Sequence, residues 1–112
     1  MYHFYIIKPL NRTGFGICSD KKDRNKKYTS HVGEIVKFSY VWGGLRTHAK
    51  AVERTIKQQF VDNTWQVGEW KTEWLDESIT VEYLKEYVEQ LIKDRHYRLE
   101  LINVDYDLTQ ET

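Results

Sequence analysis

The sequence predicts an α+β domain: a small antiparallel sheet of about three strands flanked by helices, with a further helix and strand appended at the C-terminal end. Three observations predict it. Aromatic and β-branched runs with a two-residue alternation dominate the first 45 residues; two apolar stripes at helical spacing follow; a last aliphatic run alternates again near the end. Hairpin-type connections favour antiparallel pairing with helices laid on the sheet.

Residues 2–8 (YHFYIIK) are aromatic and β-branched with no breaker, and read as a strand. Residues 9–14 (PLNRTG) carry turn chemistry, so residues 15–18 run back as the second arm of a hairpin. The segment 19–30 is highly charged and has room for one or two helical turns. In EIVKFSYVW (34–42), Val36, Phe38, Tyr40 and Trp42 alternate with more polar neighbours, giving a strand with one buried face that Gly43-Gly44 ends.

Thr47 is the expected N-cap of a helix over 48–60, where Ala49, Val52, Ile56 and Phe60 step by three, four and four along one stripe. Glu53 lies at the edge of that stripe, where a carboxylate points along the boundary between core and solvent. Residues 61–69 are turn-rich, and GEWKTEWLD (68–76) repeats Glu-Trp at a spacing of four, with Trp70 and Trp74 read as core or lid aromatics. A second amphipathic helix over 80–93 aligns Val81, Leu84, Val88 and Leu91. A closing strand over 96–105 puts Tyr97, Leu99 and Leu101 on one face, and residues 107–112 form a frayed tail. With no linker or repeat of domain scale, residues 1–106 read as one domain, as the length of 112 also suggests.

Composition narrows the function classes. Lys+Arg and Asp+Glu both number 17, which excludes a histone-like polycation and an acidic disordered tail. Cys18 is the single cysteine, so neither an intrachain disulfide nor a Cys₄ zinc site can form. His3, His31, His48 and His96 lack paired metal-ligand spacing, and there is no phosphate-binding glycine loop. No apolar run reaches the length of a membrane span, and the first ten residues make a poor signal peptide, so a cytoplasmic location is expected. The zero net charge hides an asymmetry: residues 1–50 hold ten basic and three acidic side chains, residues 51–112 seven and fourteen. The run KKDRNKK (21–27) can present a local positive patch to a polyanion, although a solvated surface is the usual meaning of such a run.

Taken in order, HFYIIK (3–8), GFGICSD (14–20), Arg24, Glu53 in a helix ending at Phe60, and TEWLD (72–76) make the chain resemble the GIY-YIG endonuclease family. The resemblance is to its small phage and bacterial branch, and it covers roughly residues 1–78. It implies a three-stranded antiparallel sheet flanked by helices, and hydrolysis of DNA phosphodiester bonds with Mg²⁺ or Mn²⁺. It also implies site residues: Tyr5 on the tyrosine of the first motif, Arg24 on the arginine of the short helix, and Glu53 on the metal-binding glutamate. Tyr28 stands where many members carry a proton acceptor, with His31 as a substitute. Lys21, Lys22, Lys26, Lys27 and Arg46 are the expected DNA-backbone contacts.

The chemistry calls for these residue types. Phosphodiester cleavage has to neutralise charge on a pentacovalent phosphate and activate a water. A hard cation on a carboxylate serves both ends, and an arginine offers a charged fork to the non-bridging oxygens. A tyrosine titrates near pH 10 when unperturbed, so as a base it needs a cation beside it.

Other readings stand beside this one. Tyr5 also reads as a strand aromatic, and Glu53 as a surface partner of Lys57 at i+4. Gly14 occupies the second-motif position at which the family carries Tyr or Lys, which favours a catalytically degenerate domain that binds nucleic acid or a protein partner. The abundant tryptophan and tyrosine suit a protein interface or a homodimer, and suit a small core equally.

Overall fold

The computed structural model describes residues 1–8, 13–19, 38–60, 64–65, 73–75 and 78–106. The charged run at 21–27, Trp70 and the tail at 107–112 lie outside them. The elements run β1 (Tyr2–Ile7), β2 (Thr13–Cys18), β3 (Phe38–Gly44), α1 (Arg46–Gln59), β4 (Thr64–Trp65), β5 (Glu73–Leu75), α2 (Val81–Arg95) and β6 (Leu99–Tyr106). The six strands form one antiparallel sheet in the order β4-β5-β2-β1-β3-β6. The expected class therefore holds, on a sheet wider than three strands. Its centre is the predicted β2-β1-β3 unit, with β6 added at one edge and two short strands at the other.

β1 sits at the middle of this sheet, and Phe4, Tyr5, Ile6 and Ile7 are all buried. Successive side chains on a strand point to opposite faces. Phe4 and Ile6 therefore share one face with Phe15 and Trp42, and that face packs against both helices. α1 contributes Ala49, Val52 and Ile56, with Phe60 just beyond its end, as the sequence spacing requires. α2 contributes Val81, Leu84, Val88 and Leu91. Full burial of each larger aliphatic or aromatic side chain is worth about 1.5–3 kcal/mol, and this shared layer is what seats the helices. Tyr5, Ile7, Val41 and Phe38 lie on the second face and are buried as well.

The helices end by different physics. Thr80, read from the sequence as the first helical residue, is instead the cap of α2, its hydroxyl oxygen accepting from the Tyr83 N–H at 3.1 Å. Glu82 lies in the first turn and Lys93 and Arg95 in the last, each complementing the helix dipole. His96 then breaks the helix in the left-handed conformation at φ 55°. α1 begins two residues earlier than expected: Leu45 is its N-cap, with no side-chain cap, and Thr47 is already helical. A tertiary clamp replaces the missing cap. The Leu45 N–H donates to the Arg98 carbonyl at 3.3 Å, and the Arg98 N–H donates to His48 Nδ1 at 2.8 Å, with the His48 ring 5.0 Å from that of Tyr97. On the core side, the Trp42 indole N–H donates to Glu89 at 2.8 Å and ties β3 to α2.

Two boundaries also differ from expectation. β3 runs on past Trp42 through Gly43 and Gly44, which pair with Glu100 and Leu99 of β6, and ends there. TEWLD supplies a strand, since residues 73–75 pair with 13–15 of β2.

The clamp explains Gly44, where a Cβ would overlap the Arg98 carbonyl oxygen, whereas at Gly43 it would meet the movable Met1 thioether and the tip of Ile102. Chemical denaturation should show Gly44→Ala losing about 1–3 kcal/mol, the usual cost of overpacking against fixed atoms. Gly43→Ala should lose far less, because Met1 is largely exposed and swings aside.

Tyr87 is half-buried and meets Phe60 edge-on at 5.2 Å. Burial pushes its phenol up from the ordinary value of 10.0; Arg95 opposes the rise and Tyr83 adds to it. A folded-state value above the unfolded one gives stability that is complete below about pH 10 and lost as pH rises through the folded value. Tyr87→Phe should therefore flatten the alkaline fall in stability measured by denaturation at a series of pH values.

Candidate functional site

Tyr5 is 1% exposed and pairs with Gly16 of β2 and Val41 of β3. Its ring meets Phe38 edge-on at 5.3 Å on the second face. From there the phenol extends across β2. A Cβ placed on Gly16 would overlap the Tyr5 hydroxyl and stand 2.8 Å from Cζ. The last glycine of GFG is thus a cradle for the tyrosine of the first strand, a relation between two distant residues that becomes visible only once the register is known. Gly14, two residues away along β2, shares this face and pairs with Ile7 and Trp74.

Glu53 stands on α1, one position off the buried stripe, with a side chain 20% exposed and 3.6 Å from Lys57 Nζ. The i,i+4 pairing is therefore present, and the carboxylate sits at the border between core and solvent as its position on the stripe suggests. α1 covers the first face of the sheet and Tyr5 belongs to the second, so the structure does not bring these two onto one face. Arg46 is at the start of the same helix, exposed, with its guanidinium 5.5 Å from the Tyr2 ring centroid. It lies seven residues before Glu53, two helical turns or about 10 Å along the axis. Lys50 and Arg54 continue this exposed side at four-residue steps, a period that a search for apolar stripes passes over.

Arg24, Tyr28, His31, Lys21, Lys22, Lys26 and Lys27 lie outside the described residues. Among the described residues no group of three or more His, Cys, Asp or Glu could hold a metal. Glu53 offers a single carboxylate, 20% exposed and paired with Lys57. Magnesium usually keeps several waters and takes one or two carboxylates together with substrate phosphates. Two other sequence candidates have structural employment: Cys18 is buried, and His48 accepts the Arg98 N–H. Among the described residues no helix is long and apolar enough to cross a membrane.

Compared with known proteins, the chain has no match among family models, curated proteins or solved structures.

The cradle makes a quantitative test. Gly16→Ala should cost about 1–3 kcal/mol by overpacking. Because the atoms it meets belong to Tyr5, a double-mutant cycle with Tyr5→Leu should return a coupling of at least about 1 kcal/mol, measured by urea unfolding.

Proposed function

We propose that the chain is a metal-dependent endonuclease of the GIY-YIG type, hydrolysing DNA phosphodiester bonds. The observation that carries the reading is the cradle. Tyr5 and Gly16, the last residues of the two motif tripeptides, are cross-strand partners, and the glycine makes room for the phenol. The β2-β1-β3 order around them also agrees with the antiparallel sheet that the resemblance implies.

On this reading Glu53 binds Mg²⁺ or Mn²⁺, and the bound cation supplies Lewis acidity and a more acidic water. Arg24 holds the non-bridging phosphate oxygens and opposes their growing charge. Tyr28, or His31 in its place, would accept the proton from the attacking water, while Tyr5, buried on the other face of the sheet, holds β1 against β2 through the Gly16 cradle. Lys57, which pairs with Glu53 at 3.6 Å, would have to release that carboxylate for a cation to be held there. Lys21, Lys22, Lys26, Lys27 and Arg46 hold the DNA backbone without reading its sequence. The chain acts in the cytoplasm, as a monomer, homodimer or with a protein partner.

Gly14 favours a second reading, a degenerate domain of the same fold that binds nucleic acid or a protein partner without cutting. A glycine there neither moves a proton nor orients a phosphate. Incubation of plasmid, single-stranded and branched DNA with Mg²⁺, Mn²⁺ or EDTA separates the two. The nuclease reading expects cation-dependent cleavage that Glu53→Ala abolishes while leaving the fold intact. Cleavage retained in that variant overturns the assigned mechanism, and binding without cleavage on every substrate establishes the second reading.

A further inference from the structure

The exposed side of α1 carries Arg46, Lys50 and Arg54 at successive four-residue steps. Lys57 follows near the end of the same helix, paired with Glu53. Four residues are slightly more than one turn, so these cations form a gently curving row along the helix, each about 6 Å beyond the last. Among the described residues neither Lys50 nor Arg54 makes an ion pair. α2 is mixed: Glu82, Glu86 and Asp94 are exposed, but Lys85, Lys93 and Arg95 stand among them, and Lys85 pairs with Glu86 at 3.3 Å.

We infer that the basic row of α1 is a track for the phosphodiester backbone of DNA, running past Glu53. The choice of DNA rests on the nuclease reading above; the choice of a polyanionic backbone rests on the row itself. From Arg46 to Lys57 the helix rises about 16 Å. One DNA strand places a phosphate about every 3.4 Å along its axis, so several phosphates fall within reach of the row. An anionic membrane fits less well. Surface-bound helices need an apolar face to bury, and the apolar stripe of α1 is already in the core, with Ala49, Val52 and Ile56 at 0% exposure. Glu53 lies between that stripe and the cations, so a strand on the row passes the carboxylate assigned to the metal.

The test is fluorescence anisotropy of a short labelled DNA duplex, and of the matching single strand, in EDTA over a series of KCl concentrations. Lys50→Gln/Arg54→Gln changes two exposed side chains, and circular dichroism checks that the fold is kept. Affinity should fall roughly tenfold, and the slope of log K against log salt should shrink by about 1.8 for two lost phosphate contacts. The charge-keeping pair Lys50→Arg/Arg54→Lys should bind like the wild type, and Glu82→Gln/Glu86→Gln should not weaken binding. Failure of the wild type to bind DNA, or unchanged affinity and slope in the double glutamine variant, overturns the track. So does a loss confined to phosphatidylserine vesicles, which would assign the row to a lipid surface. Because EDTA removes cleavage, the two ideas fail separately. Metal-dependent cutting with α1-independent binding sinks the track alone, and α1-dependent binding without cutting sinks the nuclease alone.

Discussion

A strand buried on both faces governs the rest of the structure. β1 has helix-facing Phe4 and Ile6 and second-face Tyr5 and Ile7, all without solvent access beyond a trace. A strand so placed cannot stand at an edge. It needs a neighbour on each side and cover on each face, because unpaired backbone groups away from water are costly. β2 and β3 satisfy the first demand, and α1 with α2 cover one face. The same burial fixes register, since a one-residue slip would exchange the two sets of side chains. Register in turn puts Gly16 under the Tyr5 ring.

α1 turns this packing into chemistry. Its stripe of Ala49, Val52 and Ile56 holds it against the sheet, which leaves the remaining circumference to be divided among side chains that the core does not need. Glu53 occupies the boundary and Arg46, Lys50 and Arg54 the solvent side. Boundary position matters for a carboxylate. Full burial would penalise its charge, whereas full exposure would leave it screened and mobile. A rigid helix with a partly covered glutamate beside cations is a better platform for a phosphate than a loop of the same composition. The start of that helix depends on the Arg98 clamp, so the C-terminal strand helps set the angle at which the row is presented.

Much of the scaffold was legible because it follows periodicity. The unbroken aromatic and β-branched run of β1, the alternation in β3 and the two helical stripes each depend on neighbours within one element. What was not legible depends on contacts across the chain. Thr47 is a sound local cap, yet the Leu45–Arg98 hydrogen bond starts the helix before it. Gly43-Gly44 reads as a strand end, yet β6 lies alongside and Gly44 admits the Arg98 carbonyl. TEWLD has too few residues for a period, and becomes a strand because β2 offers an edge. For the site, the position of Glu53 beside the stripe could be read directly. Its separation from Tyr5 could not, because which face each occupies is decided by packing.

The charge distribution shows why totals mislead at this scale. Interactions between exposed charges fade over about 8 Å at physiological ionic strength, whereas the row on α1 is roughly twice that long. A ligand lying on it therefore responds mainly to the adjacent cations and only weakly to carboxylates elsewhere on the chain. A polycation of the same size would gather polyanions over its whole surface, whereas a single basic row confines the attraction to one helix face. Under the proposed function, a strand bound without sequence-specific contacts would still have to be aligned with Glu53. A row of fixed direction, with Lys57 and Glu53 near its end, would give that alignment from a single helix.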